Sequence, residues 1–176
     1  MEQSTKKLAS SYGLYLGLAL ILITVLVYAF DISLMTEWYY NISIYIIILV
    51  LSIMAVSKAK KFNTGLFSFK EAFSSYFLTV VIGLVISVVF SVLLFNLIDP
   101  EAANTVKELT MEKQAEMFEK FGMTEAQINE AMGKMEEENF FSLKNILISL
   151  AVQLVIFSII GLIIALIFRE KDTTNA

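Results

Sequence analysis

The 176-residue sequence contains no cysteine and no histidine, and it has only one proline. The missing cysteines exclude disulfide bonds and thiolate nucleophiles, and the missing histidines exclude imidazole acid–base chemistry. Zinc sites built from cysteine and histidine are excluded for the same reason. Most of the common catalytic and metal centres therefore cannot be formed by this chain. We also expect no bound cofactor.

Charged residues are also scarce, at 17% of the chain against about a quarter in a typical soluble domain. They are absent from four apolar runs, at residues 12–30, 39–56, 72–98 and 146–168. About 20 helical residues cross the hydrocarbon core of a bilayer, and each run is close to that length or longer. The sequence therefore predicts an all-α integral membrane bundle of four transmembrane helices, forming a single membrane domain over residues 1–176.

The basic residues lie mainly in three segments: before the first run, between the second and third runs, and after the fourth. They are Lys6, Lys7, Lys58, Lys60, Lys61, Lys70, Arg169 and Lys171. The segment at 99–145 instead holds eleven acidic residues against five lysines. Because basic loops stay in the cytoplasm, this bias predicts cytoplasmic termini and an external 99–145 segment. The first run is too long for the apolar part of a signal peptide, so we expect an uncleaved anchor.

Three short motifs mark the starts of helices. Ser68 and Glu71 match the S-x-x-E capping box, in which each side chain bonds the backbone N–H of the other residue. Asp99 suits an N-cap and Pro100 suits the first helical position, where a missing N–H costs nothing. Thr124 begins a second capping box. We therefore expect new helices to begin at these three points.

Three stretches occur in a characteristic order: GLFSFKEAF at 65–73, IDPE at 98–101 and FGMTEAQI at 121–128. Together they resemble the domain of unknown function 4199 family over nearly the whole chain. The resemblance implies a small bacterial membrane protein with four helices and a long acidic loop before the last one, which we expect to reside in the inner membrane. It implies no activity, so no functional residue is carried over.

The acidic segment at 99–145 predicts an extracytoplasmic helical hairpin with its turn near Gly122. Four glutamates, which we call the acidic ridge, share one face of its first helix: Glu108, Glu112, Glu116 and Glu119. A separate apolar face, containing Val106, Leu109, Met117 and Phe121, is expected to pack on the second helix, against Ile128, Ala131, Met132 and Met135. The ridge is either a solvated face or a site for a cation or basic partner. Met132 and Met135 could separately bind a soft metal such as Cu(I), because thioether ligands favour it.

Small residues spaced one turn apart suggest where the spanning helices approach closely. They are Gly13 and Gly17 in the first run, Gly83 and Ser87 in the third, and Gly161 and Ala165 in the fourth. The first and last pairs both fall near the predicted cytoplasmic side. We therefore expect the first and fourth runs to pack against each other there.

No run contains a carboxylate, so we expect neither an intramembrane enzyme nor ion-coupled transport. The leading interpretation is a non-enzymatic membrane protein whose hairpin contacts a partner, the envelope or an ion. The alternative is a small oligomeric pore or transporter lined by Ser87, Ser91 and Ser149. The expected partners are the lipid bilayer and either another protein or further copies of this chain, with no nucleic acid.

Overall fold

The computed structural model describes residues 3–170, and every regular element in that range is helical, which confirms the all-α prediction. The helices are α1 (Gln3–Phe30), α2 (Trp38–Phe62), α3 (Phe69–Leu93), α4 (Pro100–Lys120), α5 (Glu125–Glu137) and α6 (Leu143–Phe168). A 3-10 helix at Ile32–Thr36 precedes α2, and a π-helical turn at Leu94–Ile98 extends α3. Lys171, counted above among the basic residues, lies outside the described range.

Four helical segments are long and apolar enough to cross a membrane: Thr5–Phe30, Trp38–Phe62, Phe69–Ile98 and Leu143–Phe168. Each contains one of the four charge-free runs. The helices are longer than the runs at the lysine-rich ends, where α1 and α2 continue through their lysines. Lysine has good helix propensity and its long stem carries the charge to water, so these charges do not end the helices.

α3 lies at the centre of the bundle, because α1, α2 and α6 all pack against it. α1 runs parallel to α3: Gly13 faces Ile82, and Gly17 faces Ile86 one turn further along both helices. A Cβ atom added at either glycine would lie 2.7 Å from the Cβ of the facing isoleucine. Glycine is required at both positions because a larger residue would push the two backbones apart.

A hydrogen bond joins the same two helices. The Thr79 hydroxyl in α3 lies 3.1 Å from the Ala9 carbonyl oxygen of α1 and 2.9 Å from the Ser75 carbonyl oxygen. Thr79 is fully buried. One turn further, Gly83 receives Leu16, since a Cβ at Gly83 would lie 2.5 Å from the Leu16 side chain. Close packing and a shielded polar contact therefore hold α1 on α3.

The prediction that the first and fourth spans pack against each other is wrong. Within residues 3–170, α1 and α6 do not contact each other, and α6 packs on α3 instead. A Cβ at Gly161 would lie 2.6 Å from the ring of Tyr76 in α3, and Ala165 is fully buried. A small-residue motif marks a face for close packing but carries no information about which helix fills it.

The lysine-rich end of the bundle is closed by two hydrogen bonds between Phe67 and Glu170. The predicted Ser68–Glu71 capping box is present at the start of α3. Beside it, the Phe67 N–H donates to the Glu170 carboxylate at 3.0 Å, and the Glu170 N–H donates to the Phe67 carbonyl at 2.9 Å. The Phe67 N–H and then Lys60, at 3.3 Å, lower the pKa of Glu170. The α2–α3 connection is thus tied to the end of α6.

The α1–α3 packing predicts a destabilising effect of Gly17→Ala. The new methyl group would overlap Ile86, and overpacking of this kind costs about 1–3 kcal/mol, so we expect a lower thermal midpoint in detergent, measured by circular dichroism. Gly133→Ala is the matched control because a Cβ at Gly133 meets nothing within 4 Å. The control should keep or raise the midpoint, and an unchanged Gly17→Ala variant would contradict the described packing.

Candidate functional site

α4 begins at Asp99, whose side chain links the end of α3 to the end of α1. Asp99 is its N-cap and accepts the Ala102 N–H at 3.0 Å, and Pro100 occupies the first turn as predicted. The Tyr28 hydroxyl, near the end of α1, donates to the other Asp99 carboxylate oxygen at 2.7 Å. The Tyr28 hydroxyl, followed by the Ala102 N–H, lowers the pKa of Asp99 below its ordinary value.

One face of the first turns of α4 is buried against the end of the bundle. A small apolar cluster joins them to the π-helical turn that follows α3; its members are Leu94, Phe95, Ala102, Ala103 and Val106. Further along α4, Lys113 forms an ion pair at 3.1 Å with Glu37, the N-cap residue of α2. Glu37 raises the pKa of Lys113. α4 therefore lies against the bundle end and is fixed there at both its start and its middle.

α5 folds back beside α4. Gly122 makes the turn with a φ of 77°, a left-handed conformation that glycine adopts without strain. Thr124 then opens α5 with the predicted capping box. The Lys107 ammonium of α4 donates to the Glu136 carbonyl near the end of α5 at 2.5 Å, and Ile128 of α5 is buried. These contacts make α4 and α5 one paired unit.

The predicted apolar contact between the two helices is wrong for Val106 and Phe121 of α4. Val106 is buried against the bundle end, and Met117 and Phe121 are 40% and 77% exposed. The spacing of Ala102, Val106, Lys113 and Met117 places all four on the face of α4 that turns toward the bundle. Met117 and Phe121 lie past the last of these contacts along the helix, which explains why they are uncovered.

The acidic ridge, Glu108, Glu112, Glu116 and Glu119, lies on the exposed side of α4. Its members are three or four residues apart, so their carboxylates follow the helix over about 16 Å and do not converge on one point. Glu116 has a long ion pair with Lys120, at 3.9 Å. The geometry matches an extended basic surface better than a single cation, which requires converging oxygens.

Residues 3–170 contain no group of three or more acidic side chains placed to hold a metal ion. Met132 and Met135, the candidate soft-metal ligands, are half-buried and share a face of α5 with the buried Ile128. Half-buried methionines on the face of a buried residue are typical of adaptable apolar packing.

A partly open polar cavity lies between the spanning helices, and of its polar lining only Ser87 and Ser91 were proposed from the sequence as lining a path. It measures about 210 Å³ and is lined by all four spanning helices. Its polar members are Thr24, Tyr40, Asn41, Ser87, Ser91 and Gln153. None carries a charge, so the cavity offers neutral donors and acceptors that suit water or a small uncharged molecule. Counting residues from the acidic ends of the helices would have placed all six in the same half of the membrane.

The three serines proposed as a pore lining do not meet in this cavity. Ser87 and Ser91 line it, whereas Ser149 is exposed on the outer surface of α6. A continuous serine-lined path is therefore not formed by the described residues of one chain. Ser87, assigned above to helix packing, contributes to the cavity wall.

The bond between Tyr28 and Asp99 predicts a pH-dependent stability. A lowered folded-state pKa stabilises the fold above the ordinary value of 3.8, and this stabilisation is lost as the pH falls through the lowered pKa. We expect Tyr28→Phe to reduce the thermal midpoint at neutral pH, and the difference from wild type to shrink as the pH falls below 3.8. Tyr39→Phe, at an exposed ring, is the control. A loss that is independent of pH would contradict the assignment.

Comparison with known proteins assigns the chain to a family. No curated protein and no solved structure matches the chain. One family model does match, over residues 11–170, and it is described as a protein of unknown function, DUF4199. The match includes most of α1 and the whole of α2 to α6. The chain therefore belongs to the DUF4199 family.

Proposed function

We propose that the protein is a non-enzymatic, multi-pass protein of a bacterial inner membrane, with both termini in the cytoplasm. In this proposal α4 and α5 form an extracytoplasmic hairpin, and the acidic ridge binds the basic surface of a partner protein. Apart from the lipids of the bilayer, this partner protein is the molecule that the protein binds.

The orientation is supported by the distribution of charge between the two ends of the bundle. Lys58, Lys60, Lys61 and Lys70 lie in or beside the α2–α3 connection. The opposite end carries the acidic residues of the 99–145 segment. Basic connections are retained in the cytoplasm during insertion, so the α4–α5 end is the one expected outside.

The single observation that carries the binding function is the fixed position of α4. Its bundle-facing side is held by the Tyr28–Asp99 hydrogen bond and the Lys113–Glu37 ion pair, while its acidic ridge stays exposed. A surface held on a rigid support loses little conformational entropy on binding. Spaced carboxylates also steer a basic partner toward the surface from a distance.

The pore alternative has weaker support. Ser149 is separated from Ser87 and Ser91, and the cavity beside these two serines measures only about 210 Å³. A solute path would need a rearrangement of the helices or an assembly of several chains. Partner binding by the ridge needs neither, because the ridge is already exposed.

Site-directed photocross-linking in intact cells tests the proposal. A benzoyl-phenylalanine residue at Glu112, on the ridge, should cross-link to a protein with a basic surface, whereas the same residue at Ala126, exposed on α5, should not. Raising the salt concentration with isolated membranes should reduce the yield, because exposed charges are screened.

Two charge variants of the Glu112 probe separate the ridge from general acidity. Glu108→Gln, Glu116→Gln and Glu119→Gln together should reduce the yield by about tenfold, since each exposed charge contributes about 0.2–1 kcal/mol. Glu125→Gln, Glu130→Gln and Glu137→Gln remove the same charge from α5 and should leave the yield unchanged. Equal yields from the two triple variants would overturn the ridge as the binding surface.

A further inference from the structure

An apolar groove with a basic mouth lies between the start of α1 and the first turns of α3. It measures about 470 Å³, within the range of small-molecule pockets. Lys6 of α1 and Lys70 of α3 are its charged lining residues, and we call them its mouth. Its walls are formed by Phe73, Ser74, Phe77, Leu78 and Val81 of α3. We call this site the basic groove, and it is separate from α4, α5 and the polar cavity.

The charges at the mouth are available to a ligand. Within residues 3–170, neither Lys6 nor Lys70 forms an ion pair with a carboxylate. Glu71, which follows Lys70 in the sequence, is occupied because it accepts the Ser68 N–H and the Ser68 hydroxyl, both at 2.9 Å. Lys70 also lies in the first turn of α3, where the helix dipole adds positive potential. The mouth therefore favours an anionic group.

The walls favour a different chemistry from the mouth. Phe73 and Phe77 are stacked with their ring centroids 5.6 Å apart, and Leu78 and Val81 continue the apolar surface along the same helix. Ser74 is the one polar residue among them. A free phosphate ion would contact the lysines, but it has no apolar part that could contact these walls. A molecule with a phosphate at one end and a hydrocarbon chain at the other would use both.

We propose that the basic groove binds an anionic phospholipid. Its phosphate lies between the Lys6 and Lys70 ammonium groups, and one acyl chain runs along the stacked phenylalanines toward Val81. Basic pockets between membrane helices recognise anionic headgroups in this way, through charge at the interface and apolar contact below it. The site is independent of the ridge function, because it lies at the opposite end of the bundle.

Native mass spectrometry of the purified protein in detergent tests this proposal. The probes are phosphatidylglycerol and phosphatidylcholine with identical acyl chains, so that only the headgroup charge differs. We expect phosphatidylglycerol to bind preferentially. Lys6→Ala with Lys70→Ala should reduce phosphatidylglycerol binding by about tenfold or more, since each lysine near a lipid headgroup contributes about 1 kcal/mol.

The matched control is Lys58→Ala with Lys61→Ala, which removes the same charge from exposed positions on α2 at the same end of the protein. It should retain the wild-type preference. Leu78→Trp should fill the groove and weaken both lipids, with its fold checked by circular dichroism. Inorganic phosphate should not compete with phosphatidylglycerol.

Four results would overturn the proposal. They are equal binding of the two lipids by the wild type, equal losses in the two double-lysine variants, wild-type lipid binding by a folded Leu78→Trp variant, and displacement of phosphatidylglycerol by inorganic phosphate. The last result would identify the phosphate ion alone as the ligand. The wild-type preference together with loss only in the Lys6 and Lys70 variant supports the lipid site.

Discussion

The close approach of α1 to α3 is the contact on which the rest of the structure depends. Apolar side chains gain nothing by leaving lipid for each other, so spanning helices associate through close packing and shielded polar contacts. Gly13, Gly17 and Gly83 permit that packing, and Thr79 adds the polar contact to α1. With α1 in place, α3 presents its other sides to α2 and α6. The position of α4 follows as well, because the Tyr28–Asp99 bond requires the ends of α1 and α3 to be neighbours.

Sequence patterns predicted the elements of this fold better than their arrangement. The four spans and the starts of α3, α4 and α5 could be predicted because length, apolar content and capping chemistry act within a few turns of one helix. The partner of Gly13 and Gly17 could not, since a small-residue motif fits any helix with a complementary face. The predicted contact of the apolar face of α4 with α5 failed for the same reason. Val106 packs on the bundle end, while Phe121 extends beyond it. Residue counting alone places the polar members of the cavity in one half of the membrane, but only the arrangement of the four helices shows that they face one another.

The two ends of the bundle differ in chemistry, and each proposed role follows from that difference. At one end, lysines surround a groove with apolar walls, and the Phe67–Glu170 pairing fixes the neighbouring connection. At the other end, buried apolar contacts hold α4 so that its carboxylates face outward. The spanning helices connect the basic end, where we propose a lipid site, to the acidic end, where we propose a partner-binding surface. Both roles rest on our central claim that the two ends lie on opposite sides of the membrane, with the basic end in the cytoplasm.

Cysteine accessibility tests that claim most directly, because the natural chain has no cysteine to interfere. Gly65→Cys lies in the lysine-rich connection and Gly133→Cys lies in α5, and a Cβ at either position meets nothing within 4 Å. In cells with a permeabilised outer membrane, a membrane-impermeant maleimide should label position 133. It should label position 65 only after the inner membrane is lysed. Labelling of position 65 in intact cells, or protection of position 133, would contradict the orientation and with it the external role of the acidic ridge.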